Sequence, residues 1–107
     1  MKENEVIKSL AALAQPNRLK AFRALVVAGE DGLTAGTIAE QLAIPAATLS
    51  FHLKELVHAG LITQERSSRY LIYRVDFAQM NRVLAYLTES CCQGEVCLDT
   101  VATRCNC

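Results

Sequence analysis

Five thiols crowd the last seventeen residues of this 107-residue chain: Cys91, Cys92, Cys97, Cys105 and Cys107. The ninety residues before them contain none. A disulfide framework scatters its cysteines to staple distant parts of a fold, so this clustering points to a soft-metal or redox site added to a domain that folds without it. The adjacent pair Cys91-Cys92 is the densest part, and thiols this close can converge on one small thiophilic atom. Gly94 can adopt the positive φ needed to fold Cys97 back onto the pair.

The rest of the chain has to position that site and use it. A chain of this length is one domain, here split into a folded unit over residues 1–90 and a cysteine-rich segment over residues 91–107. Hydrophobic residues make up 51% and aromatic ones only 6%. Helices with apolar faces to spare bury them in a partner, so a homodimer is expected. Met1-Lys2-Glu3-Asn4-Glu5 opens without the apolar core of a signal peptide, and apolar runs such as Leu10–Ala14 fall far short of the ~20 residues needed to span a bilayer. The expectation is a soluble cytoplasmic chain with no membrane partner, in a compartment that keeps thiols reduced.

Net charge is zero, eleven basic residues against eleven acidic, which alone gives no reason to expect nucleic acid. Its distribution is uneven. Residues 45–75 carry Lys54, Arg66, Arg69 and Arg74 against Glu55 and Glu65, whereas residues 76–107 carry Arg82 and Arg104 against Asp76, Glu89, Glu95 and Asp99. The basic surplus and the thiols therefore occupy different segments, as in a protein with separate reading and sensing parts.

Val6, Ile7, Leu10, Leu13 and Ala14 recur at helical spacing and predict a first helix ending before Pro16. A second helix starts at Pro16, carries Leu19, Phe22, Leu25 and Val26, and ends at Gly29. After a polar turn at Glu30-Asp31-Gly32, Thr34 is the N-cap of a short third helix with Ile38, Ala39 and Leu42. Ile44-Pro45 breaks the pattern before a fourth helix that ends at Gly60. Leu61–Arg66 and Tyr70–Val75 read as a hairpin around Ser67-Ser68. Asp76 and Gln79 form a capping box for a fifth helix whose stripe is Phe77, Met80, Val83, Leu84 and Leu87. The expected fold is mainly α with a β-hairpin, a dimeric winged helix-turn-helix in the order α-α-α-α-β-β-α.

With Leu49, Leu53, Leu56 and Val57 turned inward on the fourth helix, the outward face holds Ala47, Phe51, Lys54 and His58, flanked by Thr48 and Ser50. Small and hydroxylic residues let a helix sink into a major groove. Thr48 and Ser50 can bond base edges or phosphates, Phe51 can meet a thymine methyl, and Lys54 can neutralise a phosphate. Arg69, with Arg66, is carried by the wing toward a minor groove or its phosphates. A merely solvated helix face is the plain alternative. His52 could read DNA, but its place beside Leu53 favours a packed, hydrogen-bonded role, and Arg18 could touch a phosphate but is expected to form an ion pair.

Leu13-Ala14-Gln15-Pro16-Asn17-Arg18-Leu19 resembles the opening of the second helix in the ArsR/SmtB family of metal-responsive repressors. Ser50–Ile62 resembles that family's recognition helix, and Arg66–Arg74 its wing, with Ser67-Ser68 where glycine is more usual. The resemblance covers residues 5–88. It implies a dimeric repressor, paired through its first and last helices, that leaves double-stranded operator DNA when metal binds.

The family's other ligand sets are missing: Thr34–Leu42 has no cysteine and residues 76–90 no histidine. Cys91, Cys92 and Cys97 resemble a subgroup of repressors that bind trivalent arsenic or antimony past the last helix. These ions take three sulfurs in a pyramid, with a lone pair in the fourth direction. Three thiols replacing three hydroxides give a neutral product, so no compensating cation is needed. Cys105 and Cys107 rank behind the triad, since a pyramidal site is full with three sulfurs. Zinc or cadmium with four thiolates is the nearest competitor, though an adjacent cysteine pair suits a tetrahedral ion poorly. A thiol redox switch is third, because a helix C-terminus among carboxylates raises a thiol pKa. A metal-buffering thiol protein would explain the cysteines but not the helix-turn-helix. Nothing in the sequence calls for an organic cofactor or a catalytic site.

Overall fold

The computed structural model describes residues 1–89, so Cys91, Cys92, Cys97, Cys105 and Cys107 lie outside the described residues. The elements are α1 (Glu3–Leu13), α2 (Pro16–Ala28), a 3-10 turn (Gly29–Asp31), β1 (Leu33–Thr34), α3 (Ala35–Leu42), α4 (Ala46–His58), β2 (Ile62–Ser67), β3 (Tyr70–Val75) and α5 (Phe77–Leu87). This is the winged helix-turn-helix arrangement, and α2 and α3 start where sequence chemistry asks. Proline opens α2, with the Gln15 side chain accepting from the Arg18 N–H. The Thr34 hydroxyl caps α3 by accepting from the Thr37 N–H at 3.2 Å.

Gly60, at φ 79°, ends α4. The Leu61 N–H bonds the Leu56 carbonyl and the Gly60 N–H bonds the Val57 carbonyl, a Schellman closure that needs a left-handed residue. The same closure ends α3, but the left-handed residue there is Ala43, at φ 54°.

The sheet departs from the two-stranded hairpin expected. A third strand, β1, pairs antiparallel with β3 (Leu33 opposite Tyr73), giving the order β1-β3-β2. Two residues show no alternation, so β1 left no periodic signal. Gly32 makes the approach possible: a Cβ there would stand 2.6 Å from the Tyr73 carbonyl oxygen. The hairpin turn also shifts by one residue. Ser67 is paired with Tyr70, so the tip is Ser68-Arg69, with Ser68 at φ 59°.

Asp76 makes only half of the expected capping box. Its carboxylate accepts from the Gln79 N–H at 3.1 Å, while its own N–H bonds the Leu61 carbonyl. The Gln79 side chain turns instead to α1, donating to the buried Ser9 hydroxyl at 3.4 Å. On α1 the buried positions are Val6, Ser9 and Ala12; Ile7 and Leu10, whose spacing helped to predict the helix, are exposed. Leu84 and Leu87 on α5 are exposed too, leaving Val83 as that helix's buried residue.

Left-handed geometry costs a non-glycine residue roughly 1–2 kcal/mol, partly offset by glycine's larger unfolded-state entropy. Ala43→Gly and Ser68→Gly are each expected to stabilise the fold by about 0.5–1 kcal/mol, a rise of a few degrees in Tm. Thermal unfolding checks this, and a lowered Tm in both variants would contradict the reading of these turns.

Candidate nucleic-acid interface

Leu49, Leu53 and Leu56 have no exposed surface and seat α4 against α2 and α3. Val57 is half-buried beside them. The opposite face is left to solvent as the periodicity predicts: Ala47, Thr48, Ser50, Phe51, Lys54 and His58 are all exposed. The start of α4 has Pro45 as its N-cap, no side-chain cap and no acidic residue in its first turn. Its first amides and the positive end of its dipole thus stand beside the small residues Ala47, Thr48 and Ser50, an arrangement suited to an anion or a groove wall.

Arg66 and Arg69 are exposed, Arg69 in the tip turn and Arg66 opposite Leu71 on β2. Arg74 behaves differently. Its Nε donates to the Glu30 carbonyl at 2.7 Å and its Nη1 meets the Glu65 carboxylate at 2.8 Å. This ties the wing to the 3-10 turn and pairs one cation with one anion at the surface, leaving Lys54, Arg66 and Arg69 as the exposed, unpaired positive groups of that segment among the described residues. The ion pair itself, largely in water, contributes little to stability.

His52 is buried, and its Nδ1 accepts from the Arg18 Nε at 3.1 Å. Burial, and secondarily the Arg18 charge, lower its pKa, so the ring is neutral and free to accept. The packed, hydrogen-bonded role expected for His52 is what is found. The ion pair expected for Arg18 is not: among the described residues its partner is this imidazole and no carboxylate. Phe51, 55% exposed, meets the His52 ring edge-on at 5.5 Å and lies under the Arg18 guanidinium at 5.6 Å. A through-space link between α2 and the outer face of α4 has no signature in either helix's own periodicity. Tyr70, also missed, is exposed at the wing tip; strand alternation against the buried Tyr73 would have revealed it.

Among the described residues, no three His, Cys, Asp or Glu side chains converge as metal ligands, and no helix is long and apolar enough to cross a membrane.

The chain matches a helix-turn-helix domain family over residues 13–65, from the end of α1 into β2. No curated protein matches it. Among solved structures it is similar to the transcriptional repressor BigR from Xylella fastidiosa, with 30% identity, a TM-score of 0.62, and coverage of 84% of this chain and 90% of BigR. It also resembles an ArsR-like transcriptional regulator from Rhodococcus sp. RHA1, with 21% identity, a TM-score of 0.70, and coverage of 94% and 81%. A homodimeric winged helix-turn-helix DNA-binding domain from Mycobacterium bovis, Mb0332, described as a possible ArsR-family regulator, aligns with 22% identity, a TM-score of 0.64, and coverage of 81% of both chains. The last two share the fold. The 30% identity to BigR, held across most of both chains on the same winged architecture, makes this chain a member of the helix-turn-helix transcriptional regulators, which are DNA-binding proteins and not enzymes.

Proposed function

We propose that this protein is a homodimeric repressor that occupies operator DNA and leaves it when trivalent arsenic or antimony binds Cys91, Cys92 and Cys97. The observation that carries this reading is the placement of the thiols. They begin four residues after Leu87, the last residue of a helix whose Leu84 and Leu87 stand uncovered, as do Ile7 and Leu10 on α1. A second copy is the natural cover for such apolar surface, and the Mycobacterium bovis relative is a homodimer. A ligand held just past α5 then acts next to the surface that sets the spacing of the two recognition helices.

The donor set suits the ion: three soft thiolates in a stretch, residues 83–103, whose sequence carries no Lys or Arg. Cys91, Cys92 and Cys97 would hold it, and bound metalloid supplies a neutral three-sulfur crosslink. Moving operator occupancy from 99:1 to 1:99 requires about 5.5 kcal/mol of preference for the released geometry. Reading of DNA falls to Ala47, Thr48, Ser50 and Phe51 in a major groove, with Lys54, Arg66 and Arg69 on phosphates or a minor groove.

Sedimentation at micromolar concentration should give a dimer that covers two half-sites ~34 Å apart or a multiple of it. A monomer binding one chain at a time would contradict this. Lys54→Ala and Arg69→Ala should leave the fold intact but each lower the slope of log affinity against log salt by about one unit per protomer. Wild-type affinity and slope in both would show that another face reads DNA.

Cys91→Ser, Cys92→Ser and Cys97→Ser should each retain operator binding and lose release by arsenite or antimonite. Cys105→Ser and Cys107→Ser should matter less. A triad variant that still responds would refute the assignment, and a deaf Cys105/Cys107 double variant would move the site to a four-thiolate divalent metal. Release by oxidant in place of metalloid would mark a redox switch.

A further inference from the structure

Arg18 stands on the first turn of α2, a position where the helix macrodipole repels a cation and where no acidic residue offsets it. It is half-buried, and its direction is fixed from two sides. The Nε donates to His52 Nδ1 at 3.1 Å, and the guanidinium carbon lies 5.6 Å from the centre of the Phe51 ring. Among the described residues, Nη1 and Nη2 have no acceptor. The guanidinium is thus held at its base, stacked on a face, and left with two donors at its far end. Phe51 belongs to the groove-reading face of α4, so those donors lie at its α2-side edge.

We infer that Arg18 is a phosphate clamp: its Nη1 and Nη2 bind a backbone phosphate of the operator, while His52 and Phe51 hold the guanidinium in place beforehand. The inference rests on the DNA-binding reading above and deepens it by adding a contact from outside the recognition helix. Arginine suits the task because its planar fork presents parallel donors to a phosphate, and presetting its rotamer removes ordering cost at binding. An incoming phosphate also supplies the anion that the start of α2 lacks. His52 takes part as a positioning residue. Its burial keeps the ring neutral, and only a neutral imidazole has a lone pair at Nδ1 for the Arg18 Nε–H. Phe51 gains a second role, as a platform under the guanidinium, which accounts for its exposure without a base contact.

The test uses the full-length protein and a mixed-sequence duplex, because the phosphate contribution does not depend on sequence. Affinity is measured by fluorescence anisotropy across a salt series, with thermal unfolding of each variant alongside. Arg18→Gln should lower the salt slope by about one unit per protomer, whereas Arg18→Lys should keep the slope. His52→Leu should also keep the slope, since the charge remains, yet weaken binding about three- to tenfold because Arg18 is no longer preset. A structural brace behaves otherwise: Arg18→Gln would weaken binding and lower Tm with the slope unchanged, and that result overturns the clamp. Should Arg18→Gln fail to fold, the arginine side-chain nitrogen signals of the wild-type protein serve instead. Those of Arg18 should shift on adding duplex, and unmoved signals in a protein that binds overturn the inference. Loss of all duplex binding by the wild type would instead overturn the DNA-binding reading and the clamp with it.

Discussion

The burial of one face of α4 is the constraint on which the rest of the molecule depends. Leu49, Leu53 and Leu56, all without exposed surface, lock the helix between α2, α3 and the base of the wing. Truncating any one to alanine would cost about 2–5 kcal/mol, a large share of the 5–15 kcal/mol that holds a small domain folded. Because the helical repeat couples the two faces, fixing the leucines also fixes where Thr48, Ser50, Phe51 and Lys54 point. Affinity for a groove is thus preorganised by packing.

The periphery is built more loosely. α1 and α5 contribute Val6, Ala12 and Val83 to buried surface and meet through the Gln79–Ser9 hydrogen bond. Their larger apolar side chains, Ile7, Leu10, Leu84 and Leu87, are uncovered. On the proposed reading this surface belongs to a second chain. The division is physically sensible: a recognition unit rigid in itself, carried on a pair of helices whose packing is completed between protomers. A ligand that rearranges the second part can reposition the first without unfolding it.

Sequence periodicity located every helix because the spacing of apolar residues and the capping chemistry of Pro16, Thr34, Gly29 and Gly60 are local properties. The solvent-facing side of α4 was legible for the same reason. What was not legible came from contacts between distant segments. Strand β1 is too short to alternate and exists because β3 needs a neighbour that Gly32 allows close. The inward turn of Arg74 depends on the Glu30 carbonyl, and the Arg18–His52–Phe51 cluster joins residues more than thirty positions apart. Ile7 and Leu10 fit a helical stripe, yet periodicity does not say whether a stripe faces its own core or a partner. The thiol site rests on ligand chemistry, since Cys91 onward lies outside the described residues.

Arsenic K-edge X-ray absorption on full-length protein that has just released its operator tests the central claim most directly, because it counts the atoms bound to the inducer. Three sulfur neighbours and no oxygen in the first shell, lost in Cys97→Ser, is the result this account predicts. An oxygen-dominated shell, or a three-sulfur shell unchanged in Cys97→Ser, would contradict it.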